Sequence, residues 1–127
     1  MSDISTESHF LLDEEEGYDY TGTNPVGISF KNADIRSNSW ASLFIDTIKK
    51  LIDLEPQSTL SILNKYEDFG STKSILSDVP SALRAPGKIK DDLYIETNYN
   101  TEFKVKILKE IFKKLQYDII DIIVYIK

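Results

Sequence analysis

The chain has 127 residues, of which 41% are hydrophobic, 28% charged and 11% aromatic, with no Cys, a single His and a formal charge of −6. That length suits one domain with a sizeable core and is too short for two of ordinary size. Without Cys there is no disulfide scaffold, thiolate zinc site, iron–sulfur cluster or Cys nucleophile, and one imidazole excludes any site that needs two.

The charge is unevenly spread. Residues 1–24 hold seven acids (Asp3, Glu7, Asp13, Glu14, Glu15, Glu16 and Asp19) and no Lys or Arg. The remainder holds fifteen basic and fourteen acidic residues, so the acidity belongs to the N-terminal segment and not to the body. That segment has no hydrophobic period and is read as a disordered tail, because it cannot bury enough apolar area to offset chain ordering. Within it, Phe10-Leu11-Leu12 runs into Asp13-Glu14-Glu15-Glu16, an apolar triplet followed by acids that resembles a short docking motif. The plainer reading is a solvated linker. The tail has neither the basic start nor the apolar run of a signal peptide, and no stretch approaches the length of a transmembrane helix. The expected location is cytoplasmic, with no membrane partner. The lack of Cys is compatible with a reducing compartment.

From Pro25 onward the chain carries structure signals. Val26, Ile28 and Phe30 alternate, as in a half-buried strand. Lys31-Asn32-Ala33-Asp34 supplies a turn, with Asn32 suited to a left-handed conformation, and Ile35 begins a second short strand. Ser39 is a good N-cap for a helix whose face is Trp40, Leu43, Phe44, Thr47, Ile48, Leu51 and Ile52. Pro56 ends that helix and opens another, through about Tyr66, with Gly70 closing the region. Ile75, Leu76 and Val79 suggest one short strand, after which Pro80, Pro86 and Gly87 suggest a turn or loop. Asp92–Thr97 reads as a strand. Asn100 caps a third helix, Thr101 to about Gln116, with Phe103, Ile107, Leu108, Ile111, Phe112 and Leu115 as its buried stripe. Ile119–Ile126 is rich in Ile and Val and reads as a strand buried on both sides or central in its sheet. The expected fold is a single small α+β domain over residues 25–127, in the order β-β-α-α-β-β-α-β.

Little catalytic chemistry is available. His9 lies in the acidic tail, where it is most simply a solvated residue. The five Gly are scattered and form no phosphate-cradling loop. Asp91, Asp92 and Glu96 invite comparison with a metal-dependent nuclease, but such a site wants Lys two positions beyond the strand acid, and position 98 is Asn. Asp91 and Asp92 are better read as turn residues. Neither an enzyme nor a metal or other cofactor is expected.

The basic residues are the remaining candidates. Residues 73–114 carry nine cations against six acids. Arg84, Lys88 and Lys90 precede the third helix, and Lys104, Lys106, Lys109 and Lys113 lie on it. Clustered cations suffice for phosphate contact. Asn98, Asn100, Tyr94 and Tyr99 are the neighbouring groups that could reach base edges. The alternative is that a Lys-rich outer face merely solubilises an amphipathic helix.

Several segments together resemble a known domain: Pro25-Val26 with Phe30, Ser39-Trp40 followed by Leu43, Leu83-Arg84-Ala85-Pro86 with Ile89, and Leu93-Tyr94-Ile95-Glu96-Thr97-Asn98 before a helix and a last strand. This pattern resembles a small domain found at the C-terminus of bacterial restriction-associated and other predicted defence proteins. Asn100 and Tyr99 depart from the Ser and Leu usual at those places. The resemblance implies a non-catalytic accessory module that recognises DNA or a protein partner. A second reading is an adaptor or inhibitor that acts through the acidic tail, either on a basic partner or by folding back on the Lys face. Pairing of two copies through the C-terminal strand is a further expectation, should that strand be an exposed edge.

Overall fold

The computed structural model describes residues 7–10, 20, 22–31, 33–67, 73–118 and 122–127. Pro25–Phe30 (β2) and Ala33–Arg36 (β3) form the expected hairpin, with Ile28 opposite Ile35. Asn32 falls outside the described residues, and its neighbour Lys31 takes the left-handed φ of 41°. Ile123–Ile126 (β7) pairs antiparallel with β2, and Glu7–Phe10 (β1) pairs antiparallel with β7. The sheet order is therefore β1-β7-β2-β3. Gly27 has no room for a side chain, since a Cβ there would collide with the Ile35 carbonyl oxygen.

Two expectations change here. The last strand is central, as read, though it spans Ile123–Ile126 against the expected Ile119–Ile126, of which residues 119–121 lie outside the described residues; both of its edges are occupied, by β1 and β2. It offers no free edge for pairing with a second copy, and the edges of this sheet are β1 and β3. The boundary set at Pro25 also moves, since two parts of the segment before it meet the body. Glu7–Phe10 is a strand, and Tyr20 is buried against Trp40 with ring centroids 5.3 Å apart. The Trp40 indole N–H donates to the Thr23 carbonyl (3.0 Å) and hydroxyl (3.2 Å). The folded body thus begins before Pro25, because Trp40 needs an acceptor for its buried indole N–H.

Trp40–Leu54 (α1) starts where expected. Ser39 Oγ accepts from Ser42 N at 3.1 Å, and the buried residues are the seven of the predicted face. Pro56–Lys65 (α2) has Pro56 in its first turn and is tied to α1 by the Thr59 hydroxyl, which donates to the Leu51 carbonyl at 3.1 Å. Gly70 lies outside the described residues.

The region between α2 and the third helix holds three strands where two were expected. Leu76–Ser77 (β4), Pro86–Lys90 (β5) and Leu93–Glu96 (β6) form a second antiparallel sheet, ordered β4-β6-β5. Pro86 and Gly87 do not turn the chain but open β5; the bend lies earlier, at the short 3-10 helix Pro80–Ala82. Pro86 is tolerated because β5 is an edge strand. Gly87 is needed because a Cβ would come within 2.7 Å of Ile45 Cδ1 and 2.8 Å of Thr97 Cγ2. That close approach seats β5 on α1, so α1 contacts strands of both sheets.

Thr101–Lys114 (α3) is capped by Asn100, whose Oδ1 accepts from Phe103 N at 2.8 Å. Its other end is a Schellman motif, with Tyr117 N donating to the Phe112 carbonyl and Gln116 N to that of Lys113, both at 3.0 Å. Gln116 occupies the left-handed position, φ 64°, that Gly usually fills. Phe112 packs edge-on to Phe30 (5.0 Å) and joins the core that all three helices share with the first sheet. None of the described helices is long and apolar enough to cross a membrane.

Candidate binding cleft

Glu96 ends β6 and is 1% exposed. Its carboxylate accepts three backbone N–H groups: Arg84 (2.8 Å), Ala85 (2.9 Å) and Asn98 (3.0 Å). The Arg84 side chain adds its Nε at 4.0 Å. Burial opposes the charged form, but the backbone donors and Arg84 outweigh it and hold the Glu96 carboxyl below its ordinary range. A second clasp lies beside it, where the Thr97 hydroxyl donates to the Ala85 carbonyl at 2.7 Å. Together they pin the 84–85 segment to the segment that leads into α3.

This clasp brings four side chains into a row. The Arg84 guanidinium lies 5.7 Å from the centre of the Tyr99 ring. Tyr99 meets Phe103, four residues on, edge to face at 4.9 Å. The Lys106 ammonium lies 5.8 Å from the Phe103 ring centre. Cations over aromatic faces are held by the ring quadrupole, so each ring positions a charge. Beside the first three of the row opens a cavity of about 250 Å³ lined by Arg84, Asn98, Tyr99, Asn100 and Phe103. Lys104 reaches back to the Tyr99 carbonyl at 2.9 Å, and burial pushes its ammonium pKa down.

The other expected basic residues do not gather here. Lys88 pairs with Asp91 at 3.2 Å, across the β5–β6 turn, and that carboxylate raises its pKa. Lys90 is exposed on the same hairpin. Lys106, Lys109 and Lys113 do share a face of α3, but Glu102 stands four residues before Lys106 and Glu110 four after it. Glu102 accepts from Tyr20 N at 2.9 Å. Glu110 faces Tyr66, whose phenol is pushed up to about 12 by burial and by that carboxylate. The stripe is therefore of mixed charge and not a continuous phosphate track. Tyr94 sits opposite Lys88, while Asn98, Tyr99 and Asn100 join Arg84 at the cleft.

Glu96 turns both oxygens to backbone donors, whereas Asp91 and Asp92 stay exposed in the turn, Asp92 at φ 61°. These three acids do not converge, and among the described residues no cluster of acids or His could hold a metal ion. Leu11, Leu12, Glu14, Glu15 and Glu16 of the apolar–acidic motif lie outside the described residues, and Phe10 ends β1. Two of the cleft's parts escape the sequence reading. Phe103 is read only as core, yet it is half-buried and faces the cavity. The role of Glu96 rests on backbone groups, which a sequence does not display. The four-residue spacing of Tyr99 and Phe103, with Lys106 three further on, is the signal available for the row.

Comparison with protein-family models, curated proteins and solved structures gives no match for this chain.

Proposed function

We propose that the chain is a non-catalytic binding module of the accessory kind implied by its resemblance to restriction-associated and anti-phage defence domains, and that it captures a protein partner through the Arg84–Tyr99–Phe103–Lys106 cleft. One observation carries this reading: two aromatic rings and Arg84 line a cavity on a scaffold fixed by a buried carboxylate, with Lys106 beside the Phe103 ring. Tyr and Arg in a well-supported pocket are the residues that dominate protein–protein binding energy. Duplex DNA is the weaker reading, because Lys88 is committed to Asp91 and the α3 lysines alternate with Glu102 and Glu110.

The test is site-specific photocrosslinking in the producing cell. A photoreactive residue at Asn98, on the exposed rim, is expected to give one dominant protein adduct. Lys106→Glu and Arg84→Gln should each deplete it. Absence of an adduct, or an adduct indifferent to both changes, overturns the proposal.

A further inference from the structure

We propose a second site, separate from the Arg84 cleft: a pocket for a free α-amino acid with an apolar side chain, where the β2–β3 turn meets the ends of α1 and α3. Lys31 and Ala33 of the hairpin, Lys50, Leu54 and Glu55 at the end of α1, and Tyr117 beyond α3 line a cavity of about 340 Å³. That is at the small end of the roughly 300–1,000 Å³ usual for ligand pockets.

Three features select that ligand. The first is a pair of unsatisfied oxygens. Tyr117 is 6% exposed, yet its hydroxyl has no hydrogen-bond partner among the described residues, and neither has Glu55 Oε2. A buried polar atom without a partner carries a desolvation cost that a ligand group can remove. Burial and the neighbouring Glu55 carboxylate raise the phenol to about 12, so it keeps its proton, but the two groups stop short of bonding geometry. Glu55 is also the N-cap of α2, where a side chain ordinarily accepts from the first-turn N–H groups. It makes no such bond and faces the phenol and the cavity instead.

The second is charge separation. Lys31, Lys50 and Glu55 line one cavity, yet among the described residues no ion pair joins the carboxylate to either ammonium. Of the acids near these lysines in the chain, Asp34 pairs with Arg36 at 3.5 Å and Asp46 accepts from Ser37 and Ser42, while Asp53 is exposed and makes no ion pair with Lys50. An anion in this cavity meets Glu55, and a cation meets two lysines. A zwitterion satisfies both signs, its carboxylate at Lys31 and Lys50 and its ammonium at Glu55, with the phenol oxygen accepting beside it. Lys31 lies over the Tyr117 ring, its ammonium 4.5 Å from the centre, and as an exposed side chain it can swing to a carboxylate at little cost. The third is an apolar wall. Leu54 is 46% exposed and stands in this cavity beside Ala33. An aliphatic side chain laid on it gains apolar burial.

The experiment is calorimetric titration of the full chain with L-leucine, N-acetyl-L-leucine and L-leucinamide. L-leucine is expected to bind one to one, and each blocked form about tenfold more weakly, since each lacks one of the two charges. Glu55→Gln and Lys50→Gln should each weaken L-leucine about tenfold. Tyr117→Phe should weaken it about fivefold and leave thermal unfolding of the free protein unchanged, because the hydroxyl it removes bonds to no described residue.

No heat and no thermal shift with L-leucine at millimolar concentration overturns the proposal. So does equal or tighter binding of either blocked form, which reduces the pocket to a site for a single charge. A Tyr117→Phe protein that unfolds at lower temperature yet binds L-leucine normally also overturns it, because the hydroxyl then serves the fold as a partner of Glu55. None of these readouts passes through the Arg84 cleft, so they stand whatever the Asn98 crosslink shows.

Discussion

The four-stranded sheet rests on the helices through apolar side chains with almost no exposure, among them Ile28, Phe30, Val124 and Ile126. The three-stranded sheet contributes fewer such groups, and its open end is fastened by Glu96, whose carboxylate gathers three backbone donors from two segments. Cohesion in the first is spread over many contacts, each replaceable in part. In the second, Leu76, Ile89 and Ile95 supply a smaller apolar share, and one ionised side chain fastens the end. A region held in that way can be rigid at its centre yet open locally, because one group carries much of the closure. The cleft lies where that second region meets α3, so its geometry depends on an ion as well as on the packing of Tyr99 and Phe103 against the core.

The comparison can be broken most forcefully in the large half. Phe112→Ala removes a fully buried ring that touches Phe30 and Tyr117, and should cost about 4 kcal/mol of global stability in chemical denaturation. Amide protection should fall throughout the first sheet. A loss confined to α3 would show that the core is less shared than the packing indicates.

Glu96→Gln should cost about 2–3 kcal/mol, since it replaces a charged acceptor of several hydrogen bonds with a neutral amide. The loss should appear first in the exchange of the Arg84, Ala85 and Asn98 amides. Its pH dependence follows from the lowered folded pKa. The unfolded carboxyl takes up its proton near the ordinary value of about 4.3, and the folded one only below that. The contribution is therefore complete above that range and drains away as pH falls through the folded pKa. The variant and the parent should accordingly converge in stability under acid. Parallel curves down to the acid limit would remove Glu96 from its role.

The smallest expected effect sharpens the comparison by improving a position that neither sheet depends on. Gln116 sits at φ 64° in the α3 terminus. Gln116→Gly relieves that conformation and should stabilise the protein by about 0.5–1 kcal/mol. A destabilised variant would mean that the Gln side chain does more than turn the chain.

What the sequence disclosed follows the same division. The face of α1 was legible residue by residue, because a seven-member stripe behind Ser39, apolar but for Thr47, has one helical solution. The Asn100 cap and the central last strand were legible for similar reasons. Glu7–Phe10 was not, since Glu-Ser-His-Phe has neither alternation nor a β-rich composition and becomes a strand only when β7 supplies partners. Pro86-Gly87 read as a turn because those residues usually make one; the close approach of Ile45 that requires Gly87 is tertiary. At the cleft, Arg84, Asn98, Tyr99 and Asn100 were all visible as candidates. Their convergence was not, because the Glu96 clasp that gathers them is made with backbone N–H groups. The basic stripe looked more uniform in sequence than it is in space, since Glu102 and Glu110 are brought among the lysines only by the helical repeat.

The placement of β7 also has a kinetic consequence. The β2–β3 and β5–β6 hairpins join near neighbours in the chain and close on the microsecond scale of about 1–10 μs typical of hairpins. The pairs Glu7↔Ile126 and Ile28↔Val124 instead bring together residues separated by most of the sequence. Such closures are slow, because chain entropy is lost before any contact rewards it. Among the described residues β1 has β7 as its sole neighbour in the sheet, so its docking must await the arrival of β7. Folding of the large sheet is thus ordered in time: a local hairpin, then a long-range insertion, then the strand that precedes them all in the chain.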